Sequence, residues 1–407
     1  MNDANPLTYC TNIHPGDTWA DVRRNLEGHA LQVKRACSPT QSFPLGLRIS
    51  AQAAFELDDA EIRRFSAWCD EHDCHVLTLN GFPYGSFHDT SVKETVYLPD
   101  WRDPRRVAYT NRLADLLAHW TPRDRVSSIS TVPIACRDGF APEHWPTVKN
   151  HLLHTLTHLA RLHERGGPLI RLALEPEPYC VLEQTAETIA FFERMNFPAS
   201  LADYIGVCFD CCHQAVEFEA PADCLDQLTR AGIRVAKVQV SSALRARGDA
   251  IAHLLQFDEP TYLHQAVLRR QNGALERFSD LPGLARWLER GETADECRVH
   301  FHVPIFLAEL GAVGTTRFFL EDFLPRVAPG TPLEVETYSF GVLPSALRLD
   351  SIGDSIAREL NWVKETLLTS RGETLLTSRG GTLVKRQPGE SVPHPFEETL
   401  DAAHGRH

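Results

Sequence analysis

Leu172-Ala-Leu-Glu-Pro-Glu-Pro178 is a short apolar run that stops abruptly on acids held between prolines. Three later stretches are built the same way: Val207-Cys-Phe-Asp-Cys-Cys-His213, Val299-His-Phe-His-Val-Pro304 and Leu333-Glu-Val-Glu-Thr-Tyr338. Short continuous apolar runs bounded by turn or helix signals are how strands buried on both faces of a parallel sheet read. A polar side chain at the C-terminal end of successive parallel strands sits where a (β/α)₈ barrel builds its active site. Such a barrel brings Glu175, Asp210, His302 and Glu336 to one mouth although they are far apart in the chain. Carboxylate and imidazole together suit a divalent cation of the Mn, Fe, Co or Zn type.

Working outward, strand-like pieces alternate with helix-like pieces along most of the chain, the pattern of an α/β fold. Strands are expected at 7–12, 45–50, 75–80, 126–131, 169–175, 204–210, 234–240, 299–303 and 332–338. Helices are expected at 58–72, 104–120, 145–165, 183–195 and 316–327. In the first of these, Asp58 and Asp59 open the helix, where acids favour the dipole, and Ile62, Phe65, Trp68 and Cys69 follow at helical spacing. Nine strands is one more than a barrel holds, so one of them lies elsewhere. Residues 241–297 are the least regular and read as an insertion. Within it Asn272-Gly273 separates two alternating runs, a strong hairpin signal. It serves either as a lid over the mouth or as a structural flap.

The barrel is expected to span 1–365. Beyond it Glu365-Thr-Leu-Leu-Thr-Ser-Arg-Gly372 repeats directly as residues 373–380, and the chain then turns weakly apolar. Two short copies are too little for a solenoid, so 366–407 is expected to be a mobile tail.

The 407 residues suit one barrel with insertions, and 43% hydrophobic content suffices for its core. A formal charge of −13 argues against a nucleic-acid partner, which needs a basic face. Residues 1–9 have neither a basic nor an apolar leader region, and no apolar run approaches a membrane span. Eleven scattered cysteines, mostly in apolar runs, read as reduced thiols of a cytoplasmic protein.

The candidate site residues each have a bland reading beside the functional one. Glu175 and Glu177 are either presented at the mouth, because prolines stop the ladder there, or are acids on a solvated loop. Asp210 ends its strand and His213 follows within one turn. Cys208, Cys211 and Cys212 lack a second cysteine pair for a structural zinc knuckle. Lys237 and Gln239 share strand parity. The lysine is a base or Schiff-base former if buried free, and otherwise half of a salt bridge. His300 and His302 share a face, as do Glu334 and Glu336. An inward acid in an apolar strand is costly unless paired, protonated or metal-bound, which weights Glu336. Asn12 and His14 after the first strand, and Asn80 and Phe82 after the third, supply amides and an aromatic wall suited to a small polyol or sugar.

Leu7-Thr-Tyr-Cys-Thr-Asn-Ile-His-Pro-Gly-Asp-Thr-Trp19, Leu79-Asn-Gly-Phe-Pro-Tyr84, Leu174-Glu-Pro-Glu-Pro178, Phe209-Asp-Cys-Cys-His213, His300-Phe-His-Val-Pro304 and Glu334-Val-Glu-Thr-Tyr338 together resemble the EboE family of metabolite-traffic proteins. That family lies within the xylose isomerase-like TIM-barrel superfamily. The resemblance runs over 7–345. It implies a metal held by Glu, Asp, His and Glu from successive late strands, matched by Glu175, Asp210 and Glu336, with His213 touching substrate. Where the superfamily has its metal-bound histidine this chain has Gln239, so either Gln239 is a weak ligand through its amide oxygen or His302 supplies the imidazole from the extra strand. The resemblance implies isomerase or epimerase chemistry on a small polar metabolite. Glu175 and Glu336 would carry the proton, His213 and Lys237 would be further catalytic candidates, and Asn12, His14, Asn80, Phe82 and His300 would bind substrate. It also implies other Ebo-pathway proteins as partners. The alternative is a non-catalytic carrier handing a precursor to a membrane partner. Metal-dependent hydrolysis of abasic nucleic acid, a third chemistry of the superfamily, sits badly with the charge of −13.

Overall fold

The computed structural model describes residues 5–88, 91–345 and 351–370, and the backbone of two short paired strands, Thr374–Thr377 and Leu383–Arg386. The strands in chain order begin with β1 (Leu7–Tyr9), β2 (Phe43–Arg48), β3 (Cys74–Asn80), β4 (Val126–Thr131), β5 (Leu169–Leu174), β6 (Ile205–Asp210) and β7 (Val235–Val240). There follow β8 (Leu244–Arg247), β9 (Ala266–Arg269), β10 (Leu275–Phe278), β11 (Glu296–Val299), β12 (Glu309–Leu310), β13 (Val313–Thr315) and β14 (Leu333–Val335). Eight of them form one parallel sheet in the order β1-β14-β7-β6-β5-β4-β3-β2. A single parallel bridge from Cys10 to Gly46 brings its two edges together, so the sheet is a nearly closed (β/α)₈ barrel. Every residue of β6 is buried, as expected of a strand covered on both faces.

The helices lie between the strands, close to where periodicity puts them: Asp59–Glu71, Pro104–Trp120, Trp145–Glu164, Thr185–Met195 and Arg317–Phe323. Local chemistry sets their starts. Asp58 accepts from the Glu61 N–H at 2.7 Å, and Asp103 accepts from the Arg105 N–H at 2.8 Å ahead of Pro104.

The surplus strand is the one carrying the histidines. Residues 299–303 were one of nine candidates for eight barrel places. Strand β11 ends at Val299 and lies antiparallel between β8 and β9 in a second sheet, order β10-β9-β11-β8-β13-β12. A short buried run has the same composition in either sheet, so periodicity alone cannot assign it. The second sheet begins at Leu244 and continues to Thr315, well past residue 297. Its β9–β10 hairpin turns at Asn272-Gly273, with Gly273 at φ 84°, a conformation costly for other residues.

The barrel interior is unusually polar. Lys237 and Glu334, both fully buried, pair at 2.6 Å, and Lys237 also donates to Ser130 Oγ at 3.3 Å. Gly46 makes room for them. A Cβ there would lie 2.7 Å from the Tyr9 carbonyl oxygen and 2.9 Å from Glu334 Cδ.

The helix Ile352–Ser370 takes in the first residues of the repeat, and most of the tail expected from 366 lies outside the described residues. All eleven cysteines are free thiols. Among the described residues no helix is long and apolar enough to cross a membrane.

Candidate metal centre

Each element delivers its polar group at the same end of the barrel. Glu175 follows β5 and donates its N–H to Thr131 O at 3.1 Å, which keeps the acid against the sheet end. Asp210 closes β6 and caps the turn after it. Its Oδ1 accepts from the His213 N–H at 3.0 Å and from Ser241 Oγ at 2.7 Å. Glu336 follows β14, with its N–H on Val240 O at 3.2 Å. His300 and His302 come from the segment leaving β11, so the insertion supplies part of the mouth.

Glu175, Asp210 and Glu336 each offer an oxygen within 4.8 Å of the others, and all three are buried. Glu336 Oε1 accepts from Asn12 Nδ2 at 2.8 Å and Asn80 Nδ2 at 2.9 Å. Glu175 Oε2 and Asp210 Oδ2 have no hydrogen-bond partner. Burial pushes Glu175 well above the usual carboxyl range, and the charges of Glu336 and Asp210 push it further. Burial, Asp210 and Glu334 do the same to Glu336. Asp210 is held low. Burial opposes this, but the imidazoles of His213 and His302, the Ser241 hydroxyl and the His213 N–H outweigh it. Three converging acids, two with orphaned oxygens, are what a divalent cation needs, and a bound cation offsets the burial and mutual repulsion that raise Glu175 and Glu336. The residues present fit such an ion, held by Glu175, Asp210 and Glu336 with His302 alongside.

Three imidazoles stand beside the acids. His213 Nε2 is 3.1 Å from His300 Nε2, which is 3.2 Å from His302 Nε2. Asp210 Oδ2 lies 3.8 Å from His213 Nε2 and 3.9 Å from His302 Nε2. Burial holds His300 well below its ordinary value. It brings His302 down to about 4 despite the opposing charge of Asp210.

Above the polar floor the cavity has aromatic walls of Phe82, Phe87, Tyr97, Tyr262 and Tyr338, with Glu177 set among them. Glu177 Oε1 accepts from the Tyr97 hydroxyl at 2.6 Å and from Gln265 Nε2 at 3.0 Å.

Most of the residues singled out in the sequence meet here. Asn12, Asn80, Phe82, Glu175, His213, His300, His302 and Glu336 line the cavity, and Asp210 touches the same groups from below. Three others lie away from both the cavity and the acids' meeting point. His14 is buried behind Asn12, 3.1 Å from the Tyr9 hydroxyl and stacked on His29 at 4.4 Å. It packs there because the chain after β1 turns, so strand parity no longer governs its direction. Lys237 is one layer down in its pair with Glu334, as the salt-bridge reading had it. Gln239 lies between Asp210 and Glu334 in register and rests against Glu334, short of hydrogen-bond geometry. Tyr97 and Gln265 went unnoticed in the sequence. One is in a 3₁₀ turn and the other just precedes β9, and neither position has a periodic signal.

No family model matches the chain, and no curated protein matches it. Solved structures do. The chain is similar to a xylose isomerase domain protein from Planctomyces limnophilus, with TM-score 0.52 and 14% identity, covering 91% of this chain and 100% of that one. It is also similar to a xylose isomerase-like TIM barrel protein from Mycobacterium smegmatis in complex with magnesium, with TM-score 0.51 and 11% identity, covering 90% of this chain and 97% of that one. The fold is that of the xylose isomerase-like TIM barrels.

Proposed function

We propose that this protein is a divalent-metal-dependent isomerase or epimerase that moves a proton next to a carbonyl in a small polyhydroxylated metabolite. The observation that carries the reading is the convergence of Glu175, Asp210 and Glu336 at the floor of a pocket walled by aromatic rings. That the mycobacterial neighbour is in complex with magnesium supports a divalent cation on this fold. The motifs resembling EboE add a metabolite-traffic setting, with other Ebo proteins as partners.

When bound, the cation supplies Lewis-acid stabilisation of oxygen charge beside the carbon that loses its proton. The chain's own groups do the rest. Asn12 and Asn80 fix Glu336 Oε1, so its carboxylate cannot swing away and presents one defined face to the cavity. Glu175, with a free Oε2, is the opposing acid. One of the two takes the proton and the other, or His213, returns it. Tyr97, Phe82 and Tyr338 exclude water from the reacting carbon and offer flat surfaces to its C–H face. Lys237 does not reach the cavity, and its role is to hold Glu334 in the layer below.

Metal-reconstituted protein incubated with a panel of ketoses and aldoses in D₂O should wash deuterium into the carbon beside the carbonyl. Glu336→Gln should slow this by about 10²-fold or more. Undiminished exchange in that variant would refute the role of Glu336. Gln239, standing where an imidazole ligand would strengthen the site, favours a second reading: a carrier that binds the metabolite without transforming it. Saturable sugar binding with metal present and no deuterium exchange would establish that reading instead.

A further inference from the structure

The three histidines are arranged in a way the proton-transfer reading does not require. Each has its Nδ1 against an atom that can only accept. His213 Nδ1 is 2.9 Å from Pro176 O, and His302 Nδ1 is 2.9 Å from Glu336 O. His300 Nδ1 is 2.7 Å from Gln265 Oε1. That amide cannot be turned round. Its Nε2 faces the Tyr97 hydroxyl at 2.8 Å, Glu177 Oε1 at 3.0 Å and Pro178 O at 3.2 Å, and the Tyr97 proton is already committed to Glu177. All three Nδ1 atoms therefore carry the proton, and all three Nε2 atoms present a lone pair.

Those lone pairs point at one another. Nε2 of His300 is 3.1 Å from that of His213 and 3.2 Å from that of His302, with no hydrogen available between them. The Tyr338 hydroxyl, 3.3 Å from His300 Nε2, can donate to one lone pair only. A single added proton bridges one contact and leaves the other repulsive, at the cost of a buried charge. A cation satisfies all three. Zinc–nitrogen bonds of about 2.0–2.1 Å place tetrahedral ligand nitrogens roughly 3.3–3.4 Å apart, close to the two separations here. Asp210 Oδ2, fully buried and without a partner, stands 3.8 and 3.9 Å from the two outer nitrogens and forms one compact ligand group with His213 and His302. Ligating imidazoles that donate their second N–H to a carbonyl or amide oxygen are the usual outer support of such sites.

We propose a second metal site, made by Nε2 of His213, His300 and His302 with Asp210 Oδ2, selective for an imidazole-preferring ion of the Zn or Co type. Asp210 faces both sets of ligands, so the centre is dinuclear: one oxygen-rich position at Glu175 and Glu336, and one nitrogen-rich position at the histidines. The insertion, rather than the barrel, furnishes two of the three nitrogens. The site does not depend on the isomerase reading, and a metal-binding carrier would have it too.

The test uses the full chain, stripped of metal and reloaded with Zn²⁺ or Co²⁺, with elemental analysis after gel filtration. The expected result is two equivalents in wild type and one in His213→Gln and in His300→Gln. Glu175→Gln/Glu336→Gln should keep the nitrogen-bound equivalent and, with Co²⁺, the intense visible absorption of a four-coordinate ion. Retention of the wild-type stoichiometry by both histidine variants overturns the proposal, as does the absence of any metal-dependent visible band. Imidazole ¹⁵N spectra of the wild type, which need no variant to fold, give an independent reading. Three Nε2 resonances should move on adding Zn²⁺ while their Nδ1 partners keep their protons, and static Nε2 resonances overturn the site. If the oxygen-rich position proves empty while the nitrogen-bound equivalent persists, the proton-transfer reading fails and this site stands.

Discussion

Replacing Glu359 by Gln should make the protein less sensitive to rising pH. Glu359 sits in the helix Ile352–Ser370, fully buried, and ties together the two segments that follow the candidate ligands. Its Oε1 accepts from the Thr337 hydroxyl at 2.6 Å, next to Glu336, and from the Ile305 N–H at 3.1 Å, beyond His302. Its Oε2 has no partner. Burial pushes the carboxyl up from 4.5 to about 7, with the two hydrogen bonds opposing the shift. Below pH 4.5 the folded and unfolded chains are both protonated here, and the group costs nothing. Above it the unfolded chain releases its proton while the folded chain holds on, so stability falls until the folded group titrates near pH 7. At about 1.36 kcal/mol per pH unit the total comes to roughly 3 kcal/mol. Glutamine keeps the oxygen for Thr337 and Ile305 and removes the titration. Its NH₂, left where Oε2 had no partner, costs about 1–3 kcal/mol at every pH. The variant minus wild-type difference in unfolding free energy, measured with urea at pH 5, 6, 7 and 8, should therefore climb by about 3 kcal/mol across the series. Other titrating groups cancel in that difference. A difference flat from pH 5 to 8 would refute the argument, because it would mean the buried carboxyl ionises at its ordinary value.

Three further outcomes follow from the barrel interior and the acids. Lys237→Met leaves Glu334 buried without its partner and should cost about 3–5 kcal/mol, most of it recovered in Lys237→Met/Glu334→Leu. A double-variant loss equal to the sum of the Lys237→Met and Glu334→Leu losses would show that the pair is not coupled. Gly46→Ala should lower stability by about 1–3 kcal/mol, because the new methyl meets the Tyr9 carbonyl and Glu334 at the barrel seam. An unchanged melting temperature would mean that the seam opens freely. Divalent metal binding near pH 7 should release protons, because Glu175 and Glu336 are held above the usual range until a cation arrives. Affinity should accordingly weaken as pH falls. A calorimetric enthalpy identical in buffers of different ionisation heat would contradict this.

The barrel was legible because its strands are buried on both faces. Burial forces continuous apolar runs, and an acid closing such a run stands out, as Glu175, Asp210 and Glu336 do. The destination of each strand was harder to read. Val299-His-Phe-His-Val303 has the same texture as a barrel strand, yet β11 joins an antiparallel sheet, because pairing partners are set by the whole insertion and leave no local mark. Parity placed Lys237 and Glu334 on inward faces but not at a depth, and depth separates an ion pair inside the barrel from a group at its mouth. His14 looked like a site residue because it follows a strand end, where the chain had already turned away. Tyr97 and Gln265 were invisible for the opposite reason. Their contribution to the pocket depends on a turn and a strand entry from different parts of the chain meeting at Glu177, 80 and 88 residues distant in sequence.

The barrel and the insertion depend on each other at the metal centre. Strand β7 ends at Val240, and the next residue, Ser241, donates its hydroxyl to Asp210 Oδ1 at 2.7 Å. The insertion begins at Leu244 and returns to the same place. Val303 N–H donates to Ser242 O at 2.9 Å, Thr316 N–H to Ala243 O at 2.9 Å, and His302 to Glu336 O, so the returning chain is stitched to two barrel strand ends. Metal shared through Asp210 would then bond the barrel, at Glu175 and Glu336, to the insertion, at His300 and His302. Ligand held by the native state alone, at 100 times its Kd, adds about 2.7 kcal/mol of stability. If the ion spans both parts, that gain should appear as slowed amide exchange in β8, β9 and β11 as well as in β5, β6 and β14. For segments that open only when the centre breaks, protection should rise by about 10²-fold. Saturating Zn²⁺ should produce this in wild type, and His300→Gln should lose it in the insertion while keeping it in the barrel. Protection confined to the barrel strands in the wild type would show that the insertion stands beside the centre without holding any of it.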